Sequence, residues 1–391
     1  MSKLILTRYS GGLLCALMEG QQAVQLSLYP EQREYCAGDI YRGRVLKLNT
    51  NIRAAFVCLD GAKNAYLPYQ EGNAPKAQQE VTVQITQEAH KSKLPSVSES
   101  ITLPGRYFVL TFNQPGIHFS KKLGKREEWE AGIRVLIEDE TCPDGFIVRT
   151  NAPYASKEQL MVERDALLAE AEKIRRQSEH VASYQLLHKA LPEQLALLQD
   201  MPAGEPEEII TDDPGLYERL DRFLQRDLPD ATSALRLYND PVLSLEKLYS
   251  LETVLEKALA RHVWLPSGGY LVIDPTEAMT VVDVNTGKAD MPKKMEETLM
   301  KVNMEAADEL MRQLRLRNLS GIIVADFISM KSQKAEEELM ERLVDLALKD
   351  PVQTLVVDMT PLGLVEITRR AIHPTLQEQI KAVKGREKEK K

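Results

Sequence analysis

Short apolar runs separated by turn-forming residues fill the first part of the chain. The opening 30 residues alternate strand-length apolar stretches with turns at Gly11-Gly12 and Gly20, which predicts β-hairpins. Residues 35–108 then carry the β-rich runs DIYRGRVLKL, AAFVCLDG, NAYLPY, VTVQITQEA and GRYFVL. Strands of this length and spacing predict a small antiparallel barrel, and the pattern fits a five-stranded OB-fold.

The middle of the chain changes to a mixture of strands and helical periodicity. A strand, GFIVRT at 145–150, precedes a long helix for which Ser156 and Gln159 form a capping box. The Pro- and Gly-rich stretch at 201–206 interrupts the helical periodicity and predicts a boundary. The strand EEIIT, a turn at 212–215 and amphipathic helices are predicted to follow it.

Strands and helices alternate in the last part of the chain. The strands GYLVID and MTVVDVN precede a helix over about 293–317, the strand GIIVADFI, a helix over 333–349 and the strand TLVVDM. This alternation predicts an α/β layer with a largely buried sheet. Residues 381–391 hold six Lys or Arg and two Glu, and are predicted to be a solvated, frayed end.

Composition and charge narrow the classes of protein that remain. The 391 residues suffice for two or three domains with cores that need neither disulfides nor a structural metal. A net charge of −8 repels phosphate, so any nucleic-acid binding must come from local basic patches. The four scattered cysteines and the lack of an apolar run of about 18 residues predict reduced thiols, no membrane span and a cytoplasmic location. Walker loops, GxSxG elbows and dinucleotide fingerprints are absent from the sequence.

Carboxylates at the ends of apolar strands are the strongest candidates for chemistry. Asp283 and Asp326 each end such a run, and Asn285 shares a strand face with Asp283. Oxygen ligands of this kind suit Mg²⁺, which activates water and neutralises charge on a phosphoryl group. A single strand-end Asp is more often a turn or cap residue, and Asp274 and Asp358 fit that structural role better.

Two further sets of residues could contact a nucleic acid. Phe56 and Tyr66 lie on successive strands of the predicted barrel among basic residues, and bases stack on such rings for about 1–3 kcal/mol each. Arg149 and Thr150, at the end of GFIVRT, offer donors that suit a phosphate. The alternatives are that both rings fill the barrel interior and that the Arg-Thr pair is an ordinary exposed strand end.

Two long runs, SGGYLVIDPTEAMTVVDVNTGK and KVNMEAADELMRQLRLRNLSGIIVADFISM, resemble the catalytic core of the ribonuclease E/G family. Upstream, GDIYRGRVLKLNTNIRAAFVCLDGAKNAYLP resembles the S1-type OB domain of that family, and GFIVRT resembles its sensor for a 5′ monophosphate. The resemblance implies a multidomain α+β and α/β fold. Its parts would be an RNase H-like subdomain in two segments (1–34 and 204–262), the OB domain (35–108), a 5′-sensor-like region (109–203), a DNase I-like catalytic subdomain (263–380) and a basic tail (381–391).

The resemblance also assigns roles to residues. It implies that Asp283 and Asp326 hold one catalytic Mg²⁺ with Asn285 in support, that Phe56, Tyr66 and Lys93 contact RNA, and that Arg149 and Thr150 sense the 5′ phosphate. The implied activity is magnesium-dependent cleavage of single-stranded RNA, in RNA processing or decay. Water activated by the metal would leave 5′-phosphate and 3′-hydroxyl ends.

Several positions depart from the family pattern. Ser329 stands where the family has a second acid, and Ile117, His118 and Phe119 replace small residues of the sensor's glycine-rich turn. Gln353 takes the place of a further sensor arginine, so we expect at most a modest preference for 5′-monophosphate ends. The family's two-cysteine zinc link would begin near the point where this sequence ends. The sequence therefore predicts no structural zinc and no zinc-linked dimer, which is compatible with a monomer.

Two other function classes stay open at this point. The first is an RNA-binding or ribosome-associated factor with weakened catalysis, which Ser329 motivates. RNA retention without magnesium-dependent cleavage would favour it. The second is a metabolic α/β protein whose strand-end acids are turn residues. Loss of RNA binding in a folded Phe56→Ala variant would exclude it.

Overall fold

Two units make up the described part of the chain, and one interrupts the other in the sequence. The computed structural model describes residues 2–30, 35–89, 93–124, 126–137, 142–228, 231, 234–287 and 295–389. Unit 1 comprises Met1–Gln32 and Pro206–Lys391, and unit 2 is the continuous stretch Arg33–Glu205. No helix among these described residues is long and apolar enough to cross a bilayer.

Strands outnumber helices in the described residues. The strands are β1 Ser2–Tyr9, β2 Gly12–Glu19, β3 Gln22–Pro30, β4 Ile40–Asn49, β5 Ala54–Cys58, β6 Asn64–Pro68, β7 Glu80–Gln87, β8 Ser96–Ser98, β9 Thr102–Pro104, β10 Phe108–Thr111, β11 Gly116–Phe119, β12 Gly145–Val148, β13 Gln185–His188, β14 Glu208–Thr211, β15 Leu235–Leu237, β16 His262–Trp264, β17 Tyr270–Pro275, β18 Met279–Asn285, β19 Gly321–Asp326, β20 Thr354–Met359 and β21 Leu364–Arg369. The helices are α1 Glu127–Ile137, α2 Lys157–His180, α3 Glu193–Asp200, α4 Pro214–Asp227, α5 Leu245–Leu248, α6 Leu251–Leu259, α7 Met295–Leu316, α8 Gln333–Lys349 and α9 Leu376–Glu389.

The first sheet of unit 1 has the order β15-β14-β1-β2-β3. The antiparallel β1, β2 and β3 are the predicted hairpins, and β14 and β15 extend the sheet in parallel. The predicted turn at 212–215 is instead the start of α4, because the Asp213 side chain caps the helix and Pro214 is its first residue.

The C-terminal segment differs from its prediction as a frayed end. Helix α9 begins at Leu376 and continues through most of the predicted basic tail to Glu389. Leu376, Ile380 and Val383 pack into the core of the first sheet, where Val383 is only 3% exposed. Their spacing of four and three residues is an apolar helix stripe, which the surrounding charges obscured.

The second sheet of unit 1 has the order β16-β17-β18-β19-β21-β20. The predicted helices and strands between residues 270 and 359 are confirmed to within about two residues. Strand β21 was not predicted, and it pairs antiparallel with β19 and β20 between them. The sheet is therefore mixed.

Only one face of the second sheet is covered in the described residues, so the predicted largely buried sheet is wrong. Helices α7 and α8 contribute Val302, Leu310 and Leu339 to one core with the inward side chains of the strands. On the opposite face Val281 and Ile322 are exposed. Apolar residues on both faces gave continuous apolar runs, which are typical of a sheet buried on both sides.

Unit 2 contains the predicted barrel. Strands β4, β5, β6, β8 and β7 follow one another in pairing order, and an additional β4–β7 pairing closes the five-stranded barrel. Its interior is filled by residues such as Val45, Val57, Leu67 and Val83. The OB-like barrel is confirmed.

A second, four-stranded sheet of unit 2 has the order β11-β12-β10-β9. Helix α2 packs against it through Leu160 and Ile174. The predicted capping box of α2 is confirmed, since the Ser156 and Gln159 side chains each bond the other residue's backbone N–H, at 3.2 and 2.8 Å.

Candidate metal centre and RNA-binding surfaces

Asp283 and Asp326 lie side by side near the carboxyl ends of neighbouring strands. Strands β18 and β19 run parallel, and their register pairs these two residues directly. Neighbouring strands are about 4.7–4.9 Å apart and paired residues point to the same face, so both carboxylates can reach one ion. Both side chains are exposed on the open face of the sheet.

The electrostatics of this pair favour a cation. The Asn285 side-chain amide donates a 2.7 Å hydrogen bond to Asp283 Oδ2, which orients that carboxylate. No ion pair joins Asp283 or Asp326 to a basic side chain of the described residues, whereas Asp274 is held by Arg261 at 2.6 Å. Two neighbouring carboxylates repel each other, and a divalent cation with oxygen ligands relieves that repulsion. The donor set thus fits Mg²⁺.

The other two strand acids contact neighbouring groups of the protein, and Asp274 does so from within β17 and not from the predicted turn. The hydrogen bonds from Arg261 lower the pKa of Asp274 and engage both of its carboxylate oxygens. Asp358 accepts a 2.8 Å hydrogen bond from the backbone N–H of Met359. Neither is paired in register with Asp283 or Asp326.

Close backbone packing fixes the end of the strand that carries Asn285. A Cβ atom on Gly269 would lie 2.8 Å from the Asn285 carbonyl oxygen, and one on Gly287 would lie 2.3 Å from the Gly268 carbonyl oxygen. Gly287 also has a φ of +58°, which a side chain would disfavour. The glycines of the SGG and NTG runs therefore allow the two backbone segments to pack closely at this strand end.

Helix α7 anchors the segments next to both acids. The buried Asn303 donates a 2.7 Å bond to the Ile328 carbonyl and accepts a 3.0 Å bond from the Ile328 N–H. These bonds fix the backbone two residues beyond Asp326. Glu305 accepts a 2.9 Å bond from the Ser267 N–H at the SGG turn. These roles of Asn303 and Glu305 are not predicted from the sequence, although a polar side chain beside an apolar helix stripe was the available signal.

Three aromatic side chains that were not predicted as part of a site, His262, Trp264 and Tyr270, lie on the same sheet face as the acids. Register pairs Trp264 with Tyr270, and Tyr270 with Asn285, so all three side chains share the open face. The ring centroids of Trp264 and Tyr270 are 5.1 Å apart, and those of His262 and Tyr270 are 5.7 Å apart. Three aromatic rings on adjacent antiparallel strands were the signal that sequence reasoning missed.

Phe56 and Tyr66 form a pair on the outer surface of the barrel. The register of β5 and β6 places them opposite each other, and both are half-buried and outside the barrel core. The alternative that they fill the interior is therefore wrong. The Lys47 ammonium lies 5.0 Å from the Phe56 ring centroid. Lys93 is exposed, three residues before the segment that pairs with Tyr66.

Some of the nearby basic side chains are paired internally. Arg42 and Arg44 both contact Glu80, at 3.3 and 3.2 Å. Hydrogen bonds from Ser183 and Arg44 lower the pKa of Glu80, so it is ionised at neutral pH. Lys47, by contrast, lies over the Phe56 ring.

Arg149 of the predicted phosphate sensor is already hydrogen-bonded to other groups of the protein. Arg149 donates a 2.6 Å bond to Asp200 Oδ1 at the end of α3, and a second bond to the Gly105 carbonyl. Thr150 is exposed beside it. The Arg149 guanidinium thus already has a carboxylate partner where the resemblance implies a phosphate.

Backbone donors next to Arg149 are occupied as well. Glu163 of α2 accepts bonds of 2.9, 2.7 and 2.9 Å from the N–H groups of Arg106, Tyr107 and Phe108. Burial raises the pKa of Glu163, while these bonds and the charge of Arg149 act in the opposite direction. An N–H cluster that could hold an anion is filled by an internal carboxyl group.

The family departures have structural consequences in unit 2. Residues 116–119 form strand β11 beside β12, with Ile117 in the core and Phe119 in edge contact with Trp129. His118 is exposed between them. The bulky residues of this segment thus build a packed strand. In unit 1, Ser329 and Gln353 are both exposed.

Known ribonucleases are similar to this chain in sequence. The sequence profile of the ribonuclease E/G family matches residues 102–372. Ribonuclease G of Salmonella typhimurium and ribonuclease G of Escherichia coli K12 are each 31% identical over 385 residues, which cover 93% of this chain and 78% of each relative. Ribonuclease E of Haemophilus influenzae is 31% identical over 389 residues, 94% of this chain and 41% of that protein.

The mixed sheet with its paired acids and the closed barrel thus occur in a chain that resembles ribonucleases along most of its length. The chain belongs to the ribonuclease E/G family. This membership confirms the predicted enzyme class, an endoribonuclease and therefore a hydrolase. The chain spans 41% of the length of ribonuclease E from Haemophilus influenzae.

Proposed function

We propose that the protein is a magnesium-dependent endoribonuclease that cleaves single-stranded RNA and leaves 5′-phosphate and 3′-hydroxyl ends. The observation that carries this proposal is the direct register pairing of Asp283 with Asp326 on an exposed sheet face. Paired carboxylates of this kind suit one divalent cation better than a structural role. A cytoplasmic location and a role in RNA processing or decay stay predictions from the sequence.

Each residue of the centre has a distinct task in the proposed reaction. Asp283 and Asp326 would hold the ion, and Asn285 orients the Asp283 carboxylate through its 2.7 Å bond. When bound, Mg²⁺ supplies the Lewis acidity that activates water and neutralises charge on the phosphate. Asn303 acts through the backbone, because its two bonds to Ile328 fix the segment that follows Asp326. It is a positioning residue.

The subdomain layout is part of the proposal. The strand order β15-β14-β1-β2-β3 supports an RNase H-like subdomain assembled from the segments before and after unit 2. The β16–β21 sheet with α7 and α8 would be the DNase I-like catalytic subdomain. The barrel would be the S1-type domain, with Phe56, Tyr66 and Lys93 contacting RNA.

The direct test of the proposed function is cleavage of a labelled, 5′-monophosphorylated single-stranded RNA. We expect cleavage in Mg²⁺, none in EDTA, and products that carry 5′ phosphates and 3′ hydroxyls. Ligation and phosphatase treatment of the products identify these ends. RNA binding without magnesium-dependent cleavage would instead favour a binding factor on the same fold.

The barrel surface makes a separate prediction. Phe56→Ala and Tyr66→Ala are each expected to weaken RNA binding by about 1–3 kcal/mol, because each removes a ring on which a base can stack. Fluorescence anisotropy with a labelled oligonucleotide in EDTA measures this loss without cleavage. Tyr154→Ala, which removes another exposed ring of unit 2, is the matched control. Unchanged affinity in both barrel variants, with circular dichroism intact, would contradict the assignment.

The sensor region makes another prediction. We propose that the wild-type protein has at most a modest preference for 5′-monophosphate over 5′-hydroxyl RNA, because Asp200 competes for Arg149. Asp200→Asn removes the competing charge and is expected to raise that preference about tenfold in kcat/KM. Asp165→Asn, which disrupts the exposed pair with Arg164, is the control. A strong wild-type preference that Arg149→Ala abolishes would show that Asp200 does not block the site.

A further inference from the structure

The aromatic residues beside the acid pair have an unusual exposure. Trp264 is 69% exposed, although large aromatic side chains are mostly buried in folded proteins. Its ring lies against Tyr270 at an interplanar angle of 54°, so only part of the indole is covered. His262, on the same strand and face as Trp264, has its ring centroid 5.7 Å from that of Tyr270. Trp264, Tyr270 and His262 are here called the aromatic group.

The register of the sheet relates this group to the candidate metal centre. One row of paired residues runs from His262 through Val272 to Asp283 and then to Asp326. The next row runs from Trp264 through Tyr270 to Asn285. Each strand adds about 4.8 Å, so Trp264 lies roughly two strand spacings from Asn285 on the same face.

The charges around the aromatic group favour a base over a phosphate as its occupant. Arg261, the basic residue next to His262, donates bonds of 2.6 Å to each carboxylate oxygen of Asp274. The guanidinium charge is thus compensated within the sheet. Since the guanidinium next to the rings is already paired, the group offers its ring faces more than a positive charge. Cross-strand aromatic side chains on an open sheet are a known platform for stacking unpaired bases.

We propose that Trp264 and Tyr270 stack on a base of the single-stranded RNA next to the scissile phosphate, which would be bound by the ion that Asp283 and Asp326 hold. This inference rests on the proposed function and adds a base-binding subsite to the catalytic sheet. Stacking tolerates any base, so the subsite would position the strand and contribute little sequence specificity. Trp264 and Tyr270 would then contribute to KM more than to kcat.

The test separates base binding from catalysis. Binding of an oligoribonucleotide is measured by anisotropy in the full-length Asp283→Asn protein with EDTA, so no cleavage occurs. Trp264→Ala in this background is expected to weaken binding about tenfold, and Trp264→Phe is expected to retain most of the affinity. Leu355→Ala, an exposed apolar truncation at the opposite edge of the same sheet, is the matched control and should bind as before.

An abasic scan identifies the stacked position. Replacing one nucleotide at a time near the cleavage site by an abasic one should reveal one position that costs the Asp283→Asn protein about tenfold. The same abasic RNA should cost the Trp264→Ala form much less, because most of the stacking contact is already lost and only Tyr270 remains beside the base. Additive losses at every position would overturn the proposal.

Fluorescence supplies a readout that a purely structural role would not change. The chain has two tryptophans, so Trp129→Phe leaves Trp264 as the single indole. We expect the oligonucleotide to quench that emission and the matching abasic RNA to leave it largely unquenched. If the oligonucleotide does not quench the Trp264 emission, and Trp264→Ala binds RNA like its parent but sediments differently, the aromatic group is a protein contact and the subsite proposal fails. If the wild type still cleaves RNA in that case, the proposed function stands without this subsite.

Discussion

Asp283→Asn and Asp326→Asn are each expected to lower kcat for RNA cleavage by about 100-fold to 1,000-fold, or about 3–4 kcal/mol. Each substitution replaces a charged ligand of the proposed ion by a neutral amide of nearly the same shape. Both side chains are exposed, so we expect the fold to be unchanged. Steady-state cleavage at saturating Mg²⁺, with circular dichroism as a check on folding, measures the effect.

Asp358→Asn is the control for these variants, because Asp358 is also an exposed strand acid of the same sheet. It should cleave RNA at the wild-type rate. The double variant of Asp283 and Asp326 should be no slower than the slower single variant, because both acids hold one ion. Wild-type kcat in either single variant would refute the assignment of that acid.

Asp350→Ala is expected to destabilise unit 1 by about 3–5 kcal/mol, since it leaves a buried charge without its partner. Arg369 on β21 donates to Asp350 at 2.8 and 3.3 Å, and both side chains are almost fully buried. The same guanidinium bonds the Asn318 side chain and the Leu319 carbonyl at 3.0 and 3.1 Å. Urea unfolding followed by circular dichroism measures the loss.

The matched control for that prediction is the exposed pair of Arg261 and Asp274. It has the same two residue types and lies on the same sheet, but both side chains face water. Solvent screens such a pair, so Asp274→Ala should leave the unfolding midpoint close to that of the wild type. Equal losses in the Asp350 and Asp274 variants would show that burial does not determine the strength of these pairs.

The strand that carries the first catalytic acid shows why part of the fold was predictable. The run MTVVDVN has β-branched residues and a turn before it, and β18 has those bounds in the structure. The α2 capping box was readable because both partners lie within four residues. Local signals of this kind need no knowledge of tertiary contacts.

Other parts of the fold depend on contacts that are remote in sequence. The sequence could not show that one face of the second sheet is open. Val281 and Ile322 are exposed on that face, but they are apolar residues of the kind that a sheet buried on both faces would also carry. Strand β21 is different, because it alternates buried Val365 and Ile367 with exposed Glu366 and Thr368, and this local period of two was an available strand signal. The prediction of a solvated end at 381–391 fails because the many charges there hide the end of the apolar stripe of α9.

The candidate site also has residues that the sequence predicts and residues that only the fold brings together. Asp283 and Asp326 were found from strand-end chemistry, and the structure adds their register. Asp200 was not found as the partner of Arg149, because the two residues are 51 positions apart and only the fold joins them. The same holds for Asn303, whose two bonds reach a loop 25 residues away.

Binding of Mn²⁺ as a substitute for Mg²⁺ tests the central claim, one ion shared by Asp283 and Asp326, most directly. Electron paramagnetic resonance of free Mn²⁺ during titration counts bound ions without relying on activity. The account predicts one site per wild-type chain that Mg²⁺ displaces, lost in both Asp283→Asn and Asp326→Asn and retained in Asp358→Asn. A site that survives both substitutions with unchanged affinity would contradict it.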